Sequence, residues 1–479
     1  MKTSPFIALC AAGLVVVALR APAVAAATPT PSPQARVTVA PAPRAAMPTS
    51  SAAASPIALP TAPPWHEETG PQPSPTPLSL SDAESVALAS SPALAVSRAI
   101  VDQNNAGIGI AKSGYLPDLT ANANYLKTGS RDVNYNPFIE NQNQAFLELK
   151  QLILDGGRVS AEAQAARFST DAAKLSLLRS IQTVLLTVAQ EYYTALQARH
   201  QLQAAQRSLE VAKVQERLVE AQYHAGVASH ADVLTAQLPV AQAQVTVDQA
   251  QNGEAQNVVS LLTTMGLPAT TPVALKDDIA VTGAQPKLDA IIDEALHQRP
   301  DLAAAKSQAD SAQSSVRAAK LAGFPLIDAS ASSGTASTTS AGTKYGANWQ
   351  VQAGLTFPIY SGGLIRAQAD QARALEQQAQ ANLIATRLSV YQNVQQAYLG
   401  LGTADSSLNA AKVALDQARV VLDVTNAQYK AGVTTLPLLL NAQSQLTTAQ
   451  SNYVQALYTF KIAQQELLYA EGTIGPMPQ

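Results

Sequence analysis

The sequence predicts a mainly helical protein with a small β part, in which long coiled-coil helices join four short strands per chain. Three patterns predict this class: a duplication spanning most of the chain, apolar positions stepping by three and four residues, and four segments of apolar–polar alternation.

The chain has 479 residues, of which only 14% are charged and 5% aromatic, so its 47% apolar content is mostly small aliphatic residues, chiefly Ala. Such a composition favours closely packed helices over a bulky globular core. A formal net charge of -3 and a pI near 6.0 give no electrostatic reason for nucleic acid to be a partner.

Taken in order, the N-terminus carries Lys2, an apolar run from Phe6 to Leu19 and small residues from Ala23 to Ala27, the pattern of an export signal. The single cysteine, Cys10, lies inside that run after Leu9, so lipid attachment and disulfides are not expected. From Thr28 to Pro77 there are fourteen prolines, a composition that cannot bury a core and reads as an extended tether. Trp65, His66, Glu67 and Glu68 within it read as a solvated patch. Beyond the signal, no stretch approaches the roughly 18 uncharged apolar residues of a membrane helix, so membrane passage is assigned to strands.

The remainder is duplicated. Pro92, Lys112 and Pro117 recur 208 positions later as Pro300, Lys320 and Pro325, and Gly156-Gly157 recur 206 positions later as Gly362-Gly363. AQYHAGV from Ala221 returns as AQYKAGV from Ala427, and Ala236-Gln237 returns as Ala442-Gln443. The resulting division is a signal peptide at 1–27, a Pro/Ala-rich linker at 28–77, a first repeat at 78–270, a linker at 271–286, a second repeat at 287–472 and a tail at 473–479.

Each repeat reads as helix, two strands, long helix, tight turn, helix. Leu408, Ala411, Leu415, Ala418, Leu422, Thr425 and Tyr429 follow coiled-coil spacing, as do Leu178, Ile181, Leu185, Val188, Tyr192 and Ala195. No Gly or Pro interrupts Arg158 to Tyr223, so that helix extends to about 100 Å. Flanking helices at roughly Asp82–Ser113 and Ser229–Met265 are each about half as long and, placed end to end, match it. Pro239 is expected to kink the second of them or break its first turns.

Among the strands, Leu119, Ala121, Ala123 and Tyr125 alternate with Thr120, Asn122 and Asn124. Ala347, Trp349, Val351, Ala353, Leu355 and Phe357 alternate with Asn348, Gln350, Gln352 and Thr356. One face suits lipid and the other water, with Tyr115, Tyr345, Trp349 and Tyr360 as interfacial aromatics. Four strands cannot close a barrel, and hydrocarbon does not tolerate open edges, so several copies share one. A homotrimer gives twelve transmembrane strands, with loops at about Ser130–Asn143 and Gly334–Gly346 facing outward.

No catalytic constellation appears. His66, His200, His224, His230 and His297 are scattered, and no phosphate loop or nucleophile elbow is present. The nearest approach to a metal site is His224, His230 and Asp232 around the first turn, for which solvation is the simpler reading. No catalytic residue, cofactor or metal is assigned, and the chain is not read as an enzyme.

The duplicated units, the Asp155-Gly156-Gly157 and Ser361-Gly362-Gly363 junctions and the two AGV turns together resemble the TolC-like outer-membrane efflux proteins over about Leu80 to Gly472. The resemblance implies a homotrimer in outer-membrane lipid of a Gram-negative bacterium, a helical tunnel through the periplasm, and as partners a periplasmic adaptor (membrane fusion) protein and an inner-membrane pump. It places Tyr223, Gly226, Val227, Asp232, Tyr429, Gly432 and Val433 at the periplasmic tip that meets the adaptor. Asp232 reads either as a helix N-terminal charge or as part of an acidic constriction; Leu438 occupies the matching position, and Asn441 stands near where relatives carry acid. The implied function is a passive exit duct for small molecules. The same fold serves as the exit channel of a type I protein secretion system, and the long helices alone suit a periplasmic adaptor without a barrel.

Overall fold

The computed structural model describes residues 77–131, 137–277, 287–338 and 344–475. The chain divides into the units Met1–Gln72 and Pro73–Gln479, and every described residue belongs to the second. The signal peptide, nearly all of the Pro-rich linker with its Trp65–Glu68 patch, residues 278–286 and the last four residues lie outside the described residues, as does the side chain of Tyr345.

The first repeat contains β1 (Pro77–Leu78), α1 (Leu80–Ser90), α2 (Pro92–Ser113), β2 (Asp118–Arg131), β3 (Pro137–Leu154), α3 (Arg158–His224) and α4 (His230–Thr264). The inter-repeat linker carries β4 (Ala274–Leu275), and the second repeat contains α5 (Leu288–Gln298), α6 (Pro300–Leu321), β5 (Leu326–Thr338), β6 (Lys344–Thr356), α7 (Leu364–Lys430) and α8 (Leu436–Glu471). Helix dominates, and α3 and α7 each run 67 residues.

Two helix expectations need correction. The helix expected over Asp82–Ser113 is two, because Ser91 is extended (ψ 122°) and Pro92 opens a new first turn. Pro disfavours helical geometry in the residue before it, and Arg299-Pro300 divides α5 from α6 in the same way. Of the two outcomes expected of Pro239, the break does not occur: α4 runs from His230 to Thr264 with the proline inside it. The carbonyl that Pro239 leaves without its helical donor belongs to Thr235, which is exposed, so solvent can reach it at little cost.

The coiled-coil seam is buried where the three-four spacing placed it: Leu185, Val188, Tyr192 and Ala195 in α3, and Leu408, Leu415 and Thr425 in α7. Two cores flank mid-length α3 and α7. One gathers Tyr192, Tyr193, Leu196, Leu261, Met265 and Tyr458; the other gathers Ile291, Val390, Val394, Leu457, Phe460 and Leu467. Within α3, an eighteen-residue window reaches a mean hydropathy of 1.2 with at most two charges, so the described residues do hold one helix long and apolar enough to cross a membrane. That corrects the sequence reading. About a third of that window is buried, and buried side chains of α3, Leu185, Val188, Ala189 and Tyr192 among them, pack against neighbouring helices.

β1 and β4 pair in parallel, and the larger sheet is wholly antiparallel in the order β2-β3-β5-β6. Its rows make the two faces explicit. Leu119, Leu149, Ala331 and Val351 stand side by side across the four strands, and the next row is Thr120, Glu148, Ser332 and Gln350. The hairpins are longer than expected, because pairing continues to Arg131↔Pro137 and to Thr338↔Lys344, well into the segments read as loops. Ladder hydrogen bonds continue wherever small polar residues fit the pleat, whether or not one face is apolar.

Candidate functional site: the hairpin tips

Two turns carry the candidate site, one joining α3 to α4 and the other α7 to α8. Gly226 adopts φ 74° and Gly432 φ 70°, a left-handed backbone that costs an L residue roughly 1–2 kcal/mol. At the first turn the Gly226 N–H donates to the Tyr223 carbonyl at 2.9 Å and the Val227 N–H to the Gln222 carbonyl at 2.9 Å. At the second, Gly432 donates to Tyr429 at 3.0 Å and Val433 to Gln428 at 2.9 Å. These paired bonds satisfy carbonyls that the helix end orphans. The valine after each glycine is thereby pushed outward, Val227 being 79% and Val433 77% exposed.

Asp232 begins α4. Its N–H donates to Ser229 Oγ at 3.2 Å, and its carboxylate accepts from the Ser229 hydroxyl at 2.7 Å and the Ser229 N–H at 2.9 Å. The Ser229 hydroxyl, and after it the Ser229 N–H, hold this carboxyl below its ordinary range. Of the two readings of Asp232, the structure therefore displays the helix-capping one. The second tip has no counterpart: Thr435 makes no side-chain cap, and a proline occupies the first turn of α8.

The Tyr223 ring lies 5.8 Å from that of His224 and 5.9 Å from that of His230. Both histidines thus pack against an aromatic. Among the described residues no three His, Cys, Asp or Glu side chains gather to hold a metal.

The tips meet each other. Val219, Val233, Ala236 and Leu436 are buried together, with Ala228, Tyr429 and Leu440 packed against them. Across this contact the Tyr429 hydroxyl donates to Gln222 Oε1 at 3.2 Å. Sequence reasoning named Tyr429 but missed Gln222, Val219 and Leu436. For Val219 a signal existed, since Ala205, Ala212 and Val219 are buried at seven-residue spacing.

At the opposite end of α3, where β3 gives way to helix, Asp155 is 3% exposed. It accepts from the Gly157 N–H at 2.9 Å, the Val159 N–H at 2.6 Å and the Tyr115 hydroxyl at 3.0 Å. The corresponding elbow before α7 has Ser361 and no side-chain cap.

A family model described as outer membrane efflux protein matches residues 84–267 and 291–473, one segment in each repeat. Protein CyaE of Bordetella pertussis is 27% identical over 402 residues, covering 83% of this chain and 85% of that protein. Outer membrane protein TolC of Escherichia coli K12 is 28% identical over 423 residues, covering 83% and 84%. The Campylobacter jejuni CmeC outer membrane channel has the same fold, with a TM-score of 0.72 at 16% identity over 82% of this chain and 85% of that one.

Proposed function

Because the chain belongs to the outer membrane efflux protein family and is a TolC-like efflux channel of the Gram-negative outer membrane, not an enzyme, we propose that it is the passive exit duct of a tripartite system carrying small molecules. The observation that carries this reading is the four-stranded sheet, which has one apolar face and unpaired edges at β2 and β6. In hydrocarbon such edges must be paired. Three copies close a twelve-stranded barrel if β6 of one lies beside β2 of the next, repeating within the assembly the β3–β5 pairing inside the chain.

The helices continue the duct through the periplasm, and the two tips form its inner end. Exposed Val227 and Val433, with Tyr223 beside them, supply the apolar contact for the adaptor, which in turn links the duct to an inner-membrane pump. The Tyr429–Gln222 bond and the small core beneath it hold the tips together, and separating them opens the end. Energy comes from the pump. The polar sheet face, where Glu148 and Lys150 pair with each other among Thr, Asn, Gln and Ser, faces the lumen and is only weakly selective.

Cell fractionation followed by light scattering of the detergent-solubilised protein tests the reading. Trimers from the outer-membrane fraction are expected; a monomer in every fraction would refute the shared barrel.

A further inference from the structure

At the foot of β6, where the chain leaves the sheet for α7, a groove runs between α6 and α7. Its rim carries Ile359 and Tyr360, 90% and 87% exposed. Its wall carries Lys320 from α6 and Arg366 and Arg373 from α7. Among the described residues Asp370 is the one carboxylate paired with these arginines, at 4.0 Å from Arg366 and in contact with Arg373. Three cations against one carboxylate leave the groove positive, beside an apolar rim that continues directly from the apolar face of the strands.

The first repeat tells whether assembly covers this groove. Ile153, Leu154, Ser160 and Arg167 occupy the positions matching Ile359, Tyr360, Arg366 and Arg373, 206 residues earlier. α3 already has α2 on one side and α6 on the other, yet these four residues remain exposed. An α7 flanked by α6 and by α2 of a second copy leaves its groove open in the same way.

We propose that this groove seats the phosphate headgroup of an anionic phospholipid in the periplasmic leaflet of the outer membrane. Tyr360 and Ile359 contact the acyl region, while Lys320, Arg366 and Arg373 receive the phosphate, the division of labour expected of an aromatic belt edged by cations. The groove is better supplied than its counterpart, which has Lys112 and Arg167 but Ser160 in place of the third cation. The proposal rests on the strands crossing the membrane as described above.

The test is native mass spectrometry of the protein released from nanodiscs of phosphatidylethanolamine with phosphatidylglycerol. Wild type is expected to retain phosphatidylglycerol in excess. Arg366→Ser, which installs the first repeat's residue, should lower that excess roughly fivefold, and Lys320→Gln with Arg373→Gln should lower it further by a similar factor each. Equal retention by wild type and the triple variant overturns the proposal. So does equal binding of inorganic phosphate by lipid-free trimer, which marks a site for soluble anions. The same spectra report trimer mass, so a trimer without lipid excess sinks only this inference, whereas absence of trimer sinks the shared barrel.

Discussion

The Tyr429 hydroxyl donates to Gln222 Oε1 at 3.2 Å and so ties the end of α7 to the end of α3. A hydrogen bond of this kind contributes about 0.5–1.5 kcal/mol net. Tyr429→Phe keeps the ring and its packing but loses the bond. It is expected to raise spontaneous opening of the channel in planar bilayers several-fold, with Gln222→Leu doing the same. The double variant should open no more often than either single one, because both remove one interaction. Additive effects would show that the two residues act separately.

Gly226 and Gly432 make a different prediction, because space is not what restricts them. A Cβ at either position meets nothing within 4 Å, yet φ is 74° and 70°. Replacement by Val sets a β-branched residue in a left-handed backbone, with strain of roughly 1–2 kcal/mol or more. Trimer yield should hold while export in cells falls, and Asn, which tolerates this conformation, should restore it. Full export by both Val variants would remove the tips from the coupling mechanism.

Much of this architecture is legible without coordinates, and the parts that are not have physical reasons. The Pro92/Pro300 and Gly156/Gly362 correspondences expose the duplication, and the three-four spacing marks the seam at Leu185, Val188 and Tyr192. The break before Pro92 was available from the proline itself, but a continuous apolar pattern masked it. Pro239 misled in the other direction, since local chemistry does not tell whether water or protein faces the freed carbonyl. Strand ends such as Thr338↔Lys344 carry no alternation to read. The Tyr429–Gln222 pair joins positions 207 apart, and only the packing of two hairpins brings them together.

The row Leu119, Leu149, Ala331, Val351 assigns a face to each residue. Val351→Arg places a charge on the lipid side and should cost roughly 2–4 kcal/mol near the midplane. Recovery of trimer from membranes is expected to drop sharply. Gln352→Arg, one residue along and on the polar face, should assemble normally and alter only ion selectivity. Equal recovery of the two variants would mean that the faces are misassigned.

Asp155 gives the protein an acid-sensitive joint between sheet and helix. Burial pushes its carboxyl up, but the N–H groups of Val159 and Gly157 and the Tyr115 hydroxyl outweigh this and hold it below its ordinary value of 3.8. A group lowered on folding contributes fully above its unfolded value, and that contribution is lost as pH falls through the folded one. Val159 and Gly157 donate to different carboxylate oxygens. Asp155→Asn therefore turns its amide group against one of the two N–H donors, at a cost of roughly 1–3 kcal/mol. Thermal unfolding of the purified protein should place the variant well below wild type at neutral pH, with the gap closing as pH drops below 3.8. Taking the difference between the two proteins cancels the other carboxylates that titrate in the same range, including Asp232 and Asp301. A gap that does not change with pH would show that the charge on Asp155 plays no part in holding the joint.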